Sequence, residues 1–366
     1  MGVIRFLFAL TVLLSHEVDL FGLTLTGSII AVQCFYIISG FYMGIILEEK
    51  YKLSDYKLFI SNRFLRLLPT YWMVVLFMIV TSIIWFNFSE QKSSLFFEKI
   101  SYHFSELSFS SLLLVFFSNI FLIFQDVFLF LGLSIDGHYE FVKDFRTTNL
   151  SLSIFSLVPQ AWTIGMEIMF YLLVPFVVRL KNYFLIGLAI AAFLFRLLMY
   201  YKGYDFDPWT YRFFPFEFMF FIFGLLAFRF YKYLRIKALS SLIQNVTYGF
   251  ILSFILFYQF IPLNASFKYV CFLILFSFSL PIIFVKFKSN KLDRWIGEFS
   301  YPIYICHLFI IVVVNLFYSK YNFVSHKFLS VIILVCTLIF SFFLIKFISE
   351  PIEKIRRKRT VKLNSK

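Results

Sequence analysis

Charge is scarce in this chain. Only 15% of its 366 residues are Asp, Glu, Lys or Arg, against 61% hydrophobic. So little polar surface cannot solvate a soluble core of this length, which excludes a large soluble enzyme. Cysteine is also scarce: Cys34, Cys271, Cys306 and Cys336 all lie in apolar segments. They show no CxxC or paired spacing, so neither a disulfide framework nor a zinc site is expected. The five histidines are scattered, which points to no metal. P-loop and dinucleotide glycine patterns are missing too. There is no Gly/Ser linker, charged low-complexity block or internal repeat.

What the chain does have is long apolar runs. Leu242 to Ile261 and Phe328 to Ile348 each reach the roughly 20 residues that a spanning helix needs. The expected fold is therefore an all-α polytopic membrane protein. The net charge of +14 sits in loops, at Lys50–Arg66, Arg229–Lys237, Lys286–Arg294 and Lys354–Lys362. The positive-inside rule assigns these to the cytoplasm, and loop basicity of this kind does not call for nucleic acid. Helices at Val3–Phe21, Ser28–Leu47 and Thr70–Phe88, counted forward, put Ser89 outside. Counting back from a cytoplasmic tail also places Ser89 to Gln160 outside. Phe109 to Leu133 would break this parity if it crossed once, and it is too short to cross twice. It is read as a re-entrant or half-inserted segment beside about ten true spans, with both termini cytoplasmic. The membrane domain covers 1–353 and a basic cytoplasmic tail 354–366. A cleavable leader is disfavoured, because His16, Glu17 and Asp19 follow the first apolar stretch instead of a small-residue site.

Ionisable residues inside such segments mark candidate function. Arg5 falls at the inner mouth of the first helix, and His16 about 16 Å further along it. Glu167 lies about 10 Å below the outer surface and can share that depth. A carboxylate that fixes a histidine tautomer prepares it as a general base, whereas the same pair would also serve as glue between helices. Arg63 and Arg66, three apart on a short interfacial helix, join Arg5 on the inner side. Planar guanidinium groups suit a phosphate-bearing ligand, or equally anionic lipid head groups. Tyr301, Tyr304 and His307 share a helix face and would line a donor channel or simply pack. Ser39 and Gly40 permit close helix approach. Asp126, Asp136 and His138 either shape an outer acceptor site or are solvated loop charges.

The order of these motifs resembles a known family. Arg5 and His16 come first, then Phe35-Tyr36-Ile37-Ile38-Ser39-Gly40-Phe41, then Arg63-Phe64-Leu65-Arg66 closing on Pro69, Tyr71 and Trp72. Ala161-Trp162-Thr163-Ile164-Gly165-Met166-Glu167 with Phe170-Tyr171 and Pro175 follows, then Gly297-Glu298-Phe299-Ser300-Tyr301-Pro302-Ile303-Tyr304-Ile305-Cys306-His307, and finally Glu350-Pro351. This collinear set resembles the membrane-bound acyltransferase-3 family, in its stand-alone form without a fused esterase-like domain.

The resemblance implies an O-acetyltransferase that moves an acyl group, usually acetyl, from acetyl-CoA to a hydroxyl of an extracytoplasmic glycan or lipid-linked saccharide. It implies His16 as the catalytic residue and Arg5, Arg63 and Arg66 as positions linked to the donor. Glu167 would orient His16, with Tyr304 and His307 along the donor's path. The expected partners are acyl-CoA, a glycan acceptor and membrane lipids. The expected location is a bacterial cytoplasmic membrane, a choice favoured by the Phe-, Ile- and Lys-rich, Ala-poor composition. A secondary transporter or lipid-linked glycan flippase is the alternative, and it commonly shows repeated halves.

Overall fold

The computed structural model describes residues 1–16, 20, 22–88, 103–236, 239–321 and 325–364. Glu17, Asp19, Phe21, Ser89 and Lys237, used above, lie outside the described residues.

Helices dominate because apolar runs in lipid must satisfy every backbone group internally. In chain order they are α1 (Gly2–Leu14), α2 (Ser28–Glu49), α3 (Tyr56–Phe88), α4 (Phe109–Phe121) and α5 (Trp162–Val177). There follow α6 (Asn182–Tyr201), α7 (Phe214–Ile236), α8 (Ser241–Phe257) and α9 (Ala265–Phe287). The last are α10 (Lys291–Glu298), α11 (Ser300–Tyr321), α12 (His326–Leu344) and α13 (Glu350–Asn364). Among the described residues, nine helical stretches are long and apolar enough to cross a membrane, and α1 and α4 are shorter apolar helices. The chain is an all-α polytopic membrane protein.

The interior is built on α2, which lies against α1, α7 and α9. Its closest neighbour is α7, and the reason is a pair of glycines. A Cβ on Gly40 would fall 2.0 Å from the Phe221 carbonyl oxygen, and one on Gly224 would fall 2.1 Å from that of Ile37. Only small residues let two backbones approach so closely. Helices α6 and α8 instead expose apolar faces, such as Leu194 and Val246, toward the surrounding lipid. Asp293 ties α10 to the start of α1, since its carboxylate accepts from the backbone N–H of Gly2 at 2.7 Å and of Val3 at 3.1 Å. It thereby satisfies orphan donors at the start of α1.

Four sequence boundaries shift. Helix α1 stops at Leu14 instead of running to Phe21, so His16 stands in a bend beyond its end. Helix α3 runs unbroken through Pro69, so Arg63 and Arg66 share one long helix with the membrane segment. Of Phe109 to Leu133, only Phe109–Phe121 is helical, about 20 Å at 1.5 Å per residue. It stops where Leu122 turns left-handed (φ 59°), ahead of a 3₁₀ turn and a short antiparallel ribbon, β1 (Leu131–Leu133) with β2 (Tyr139–Phe141). Finally, the basic residues after Glu353 form a continuous helix, α13, joined to α12 by a π-turn at Ile345–Ser349.

Candidate active site

A cavity of about 100 Å³ opens among α1, α2, α3, α5 and α11, lined by Arg5, Ser39, Tyr42, Arg66, Thr163, Glu167, Tyr171, Ser300, Tyr301 and Tyr304 with apolar neighbours. The polar residues of five separate sequence motifs meet there. At one end, Arg5 Nη2 donates to Ser300 Oγ at 2.8 Å, and Ser300 donates on to the Gly297 carbonyl at 2.7 Å. Arg66 is exposed beside it. At the other end, Thr163 Oγ1 donates to the Tyr304 hydroxyl at 2.6 Å, and Tyr304 donates to the Gln160 carbonyl at 3.1 Å. Tyr301 donates to the Leu67 carbonyl at 2.7 Å, which ties α11 to α3.

Arg63 is the least satisfied group in this set. It is only 4% exposed, and its Nε and Nη1 are buried without hydrogen-bond partners. Its guanidinium rests instead against the rings of Phe59 at 5.7 Å and Tyr171 at 5.9 Å. Cation–π contact offsets part of the desolvation of such a group, but it leaves the N–H donors unmade. Buried donors of this kind are costly unless an acceptor meets them.

Glu167, expected opposite His16 on depth alone, has other partners. Its Oε1 accepts from Ser39 Oγ at 2.6 Å and from the Tyr171 hydroxyl. Arg5 is among the groups whose charge it feels. The displacement has a plain cause: α1 ends early and carries His16 off the helical path on which its depth was reckoned. The His16 ring lies against His307 instead, with centroids 5.0 Å apart. His307 is fully buried, and its Nδ1 sits 2.7 Å from the Tyr304 carbonyl and 3.3 Å from that of Ile303. A carbonyl can only accept, so Nδ1 carries the proton and Nε2 presents its lone pair, which has no hydrogen-bond partner. The Tyr304 ring, which lines the cavity, lies 6.0 Å from that of His307.

Of the residues singled out from sequence, Arg5, Arg66, Glu167 and Tyr304 line the cavity, and Arg63 lies against Tyr171 in its wall. His16 and His307 form a pair outside the cavity lining, beside Tyr304. Ser39, read as a packing residue, also serves the site as a donor to Glu167. Sequence reasoning missed the buried group around Glu217, which accepts from Gln33 at 3.2 Å and Arg196 at 3.4 Å. A lone carboxylate one turn into an apolar helix was the available signal.

The outer residues separate. Asp136 and His138 are exposed, as solvated loop charges would be. Asp126 is buried at 3% exposure with Oδ1 unpartnered. Burial pushes its carboxyl up to about 7, against the lowering effect of backbone N–H donors at Asp126 and Val127. The folded chain thus favours the protonated form, and the corresponding stability is lost as pH rises from the unfolded value near 4 to about 7. Asp126→Asn should therefore flatten the melting temperature between pH 4 and 7 in detergent. An unchanged slope in the variant would show that Asp126 does not control it.

Compared with known families, the chain matches the acyltransferase-3 family model, described as an acyltransferase domain, over residues 1–349. No curated protein matches it, and no solved structure does.

Proposed function

The chain belongs to the acyltransferase-3 family and is a multi-pass membrane acyltransferase; on that premise we propose that it carries an acetyl group from cytoplasmic acetyl-CoA to a hydroxyl of an extracytoplasmic or lipid-linked glycan. The host membrane in this reading is a bacterial cytoplasmic membrane, with both termini inside. The single observation that carries the reading is the buried guanidinium of Arg63, its Nε and Nη1 without hydrogen-bond partners, against Tyr171 in the wall of a cavity that Arg5 and Arg66 line. Coenzyme A is polyanionic at one end and slender at the other. Its phosphates meet the arginines, and its thioester arm follows the cavity past Ser39, Thr163 and Tyr304 toward the histidines.

At that end His16 acts as general base. It accepts the acceptor's hydroxyl proton while the oxygen attacks the thioester carbonyl carbon; the C–O bond forms, the C–S bond breaks, and the imidazolium returns the proton to the leaving thiolate. His307, its Nδ1 held by the Tyr304 carbonyl, fixes the face on which His16 rests. Glu167, held by Ser39 and Tyr171, faces the arginines and balances part of their charge while the donor is absent.

The test is the ester-linked acetyl content of surface glycans, read by NMR before and after mild alkali. Cells with the intact chain, with none, and with His16→Ala are compared. Acetyl that appears only with the intact chain, while the variant inserts normally, supports the reading and identifies the sugar. Equal acetylation in all three removes glycan O-acetylation as the function.

A further inference from the structure

The basic helix α13 lies past the end of the family match, and by sequence it reads as a solvated tail. Its side chains divide sharply. The side chain of Arg357 is 72% exposed, as a tail residue should be, whereas that of Arg356 is 13% exposed. The π-turn at Ile345–Ser349 sets this face; such turns insert a residue and re-aim the helix that follows. Two contacts then fix α13 along α3. Ser349 Oγ meets Thr70 Oγ1 at 3.3 Å, and Arg359 Nη2 donates to Ser61 Oγ at 2.8 Å. Arg356 is held between them.

Its surroundings are strongly cationic. Arg66 and Arg63 both act on Arg356 electrostatically, and Arg66 acts on Arg5 in turn. Against them stands Glu353, whose Oε2 accepts from Arg356 Nη1 at 2.5 Å and whose other oxygen takes Arg357 at 3.1 Å. Arg356 Nε remains buried with no hydrogen-bond partner, like Nε and Nη1 of Arg63. Like charges brought together with unmade donors are costly unless an anion completes them.

We propose that Arg356 is a further donor-binding residue, which meets a phosphate of the acyl-CoA alongside Arg63 and Arg66 and so draws the C-terminal helix into the active unit. This rests on the donor assignment made under Proposed function. A phosphate on a lipid head group shares the same chemistry, and the experiment separates the two sources.

The full chain, purified in neutral detergent, is titrated with coenzyme A by calorimetry and assayed with acetyl-CoA and with S-acetylpantetheine, which lacks phosphate. Arg356→Gln should weaken coenzyme A binding and raise KM for acetyl-CoA by roughly 10- to 100-fold. It should leave the constants for S-acetylpantetheine unchanged. Arg357→Gln should alter neither, and Arg356→Lys should recover part of the loss by restoring charge without the planar fork. Unchanged coenzyme A affinity in Arg356→Gln overturns the proposal. So does an equal loss with S-acetylpantetheine, which marks a structural role, or a loss confined to binding of phosphatidylglycerol vesicles, which marks a lipid site. If the wild-type chain itself does not bind coenzyme A, the donor assignment fails first.

Discussion

Replacement of His16 by alanine is expected to lower kcat for acyl transfer by about 10²–10⁴-fold, the usual contribution of a positioned general base. KM for acetyl-CoA should stay within a factor of about 3, because in the proposed reading the donor's phosphates meet Arg5 and Arg66, which line the cavity, and not His16. The fold should tolerate the change. His16 stands in the bend past the end of α1, half-buried, so alanine there removes no helical turn. His307→Ala should also lower kcat, but through loss of the ring against which His16 rests. Steady-state assays with varied acetyl-CoA read both constants. A kcat within tenfold of wild type for His16→Ala would remove His16 from the chemistry.

Arg63→Met is expected to do two opposite things. Donor affinity should fall by roughly 10- to 100-fold, since charge-assisted hydrogen bonds to phosphate are lost. The donor-free protein should become more stable. Two buried nitrogens with unmade N–H donors each cost about 1–3 kcal/mol, while cation–π contacts with Phe59 and Tyr171 return about 0.5–2 kcal/mol each. The balance favours methionine by on the order of 1 kcal/mol. Thermal unfolding in detergent, with and without coenzyme A, measures both effects. An arginine that merely held the helices together would give the reverse: a lower melting temperature and unchanged affinity.

Much of this architecture was legible in the chain. Apolar length gave the polytopic helical class, whereas the spacing of Arg63 with Arg66 does not show that the first is buried and the second exposed. Of the helical stripe Tyr301, Tyr304 and His307, the two tyrosines line the cavity and His307 packs against His16. Gly40 admits α7 for the reason its size suggests. What stayed hidden depended on where helices stop and turn. The polar run Ser15-His16-Glu17 marks the end of α1 at Leu14, but a span reckoned to Phe21 runs through it, and the depth argument for His16 and Glu167 rested on that longer helix. Nor does periodicity show a π-turn, and without it Arg356 looks like one more exposed charge beside Arg357. Glu167 illustrates a third limit. Its place in an apolar helix was readable, but the partner it meets, Ser39, is supplied by the neighbouring helix.

The most direct test of the account is made on inverted membrane vesicles, whose cytoplasmic face is outward, with radiolabelled acetyl-CoA in the medium. Alkali-labile label is expected on a glycan or lipid-linked saccharide on the lumenal side with the wild-type chain, and none with His16→Ala or in right-side-out vesicles. Label that accumulates equally with His16→Ala, or that enters from the other face, would contradict it.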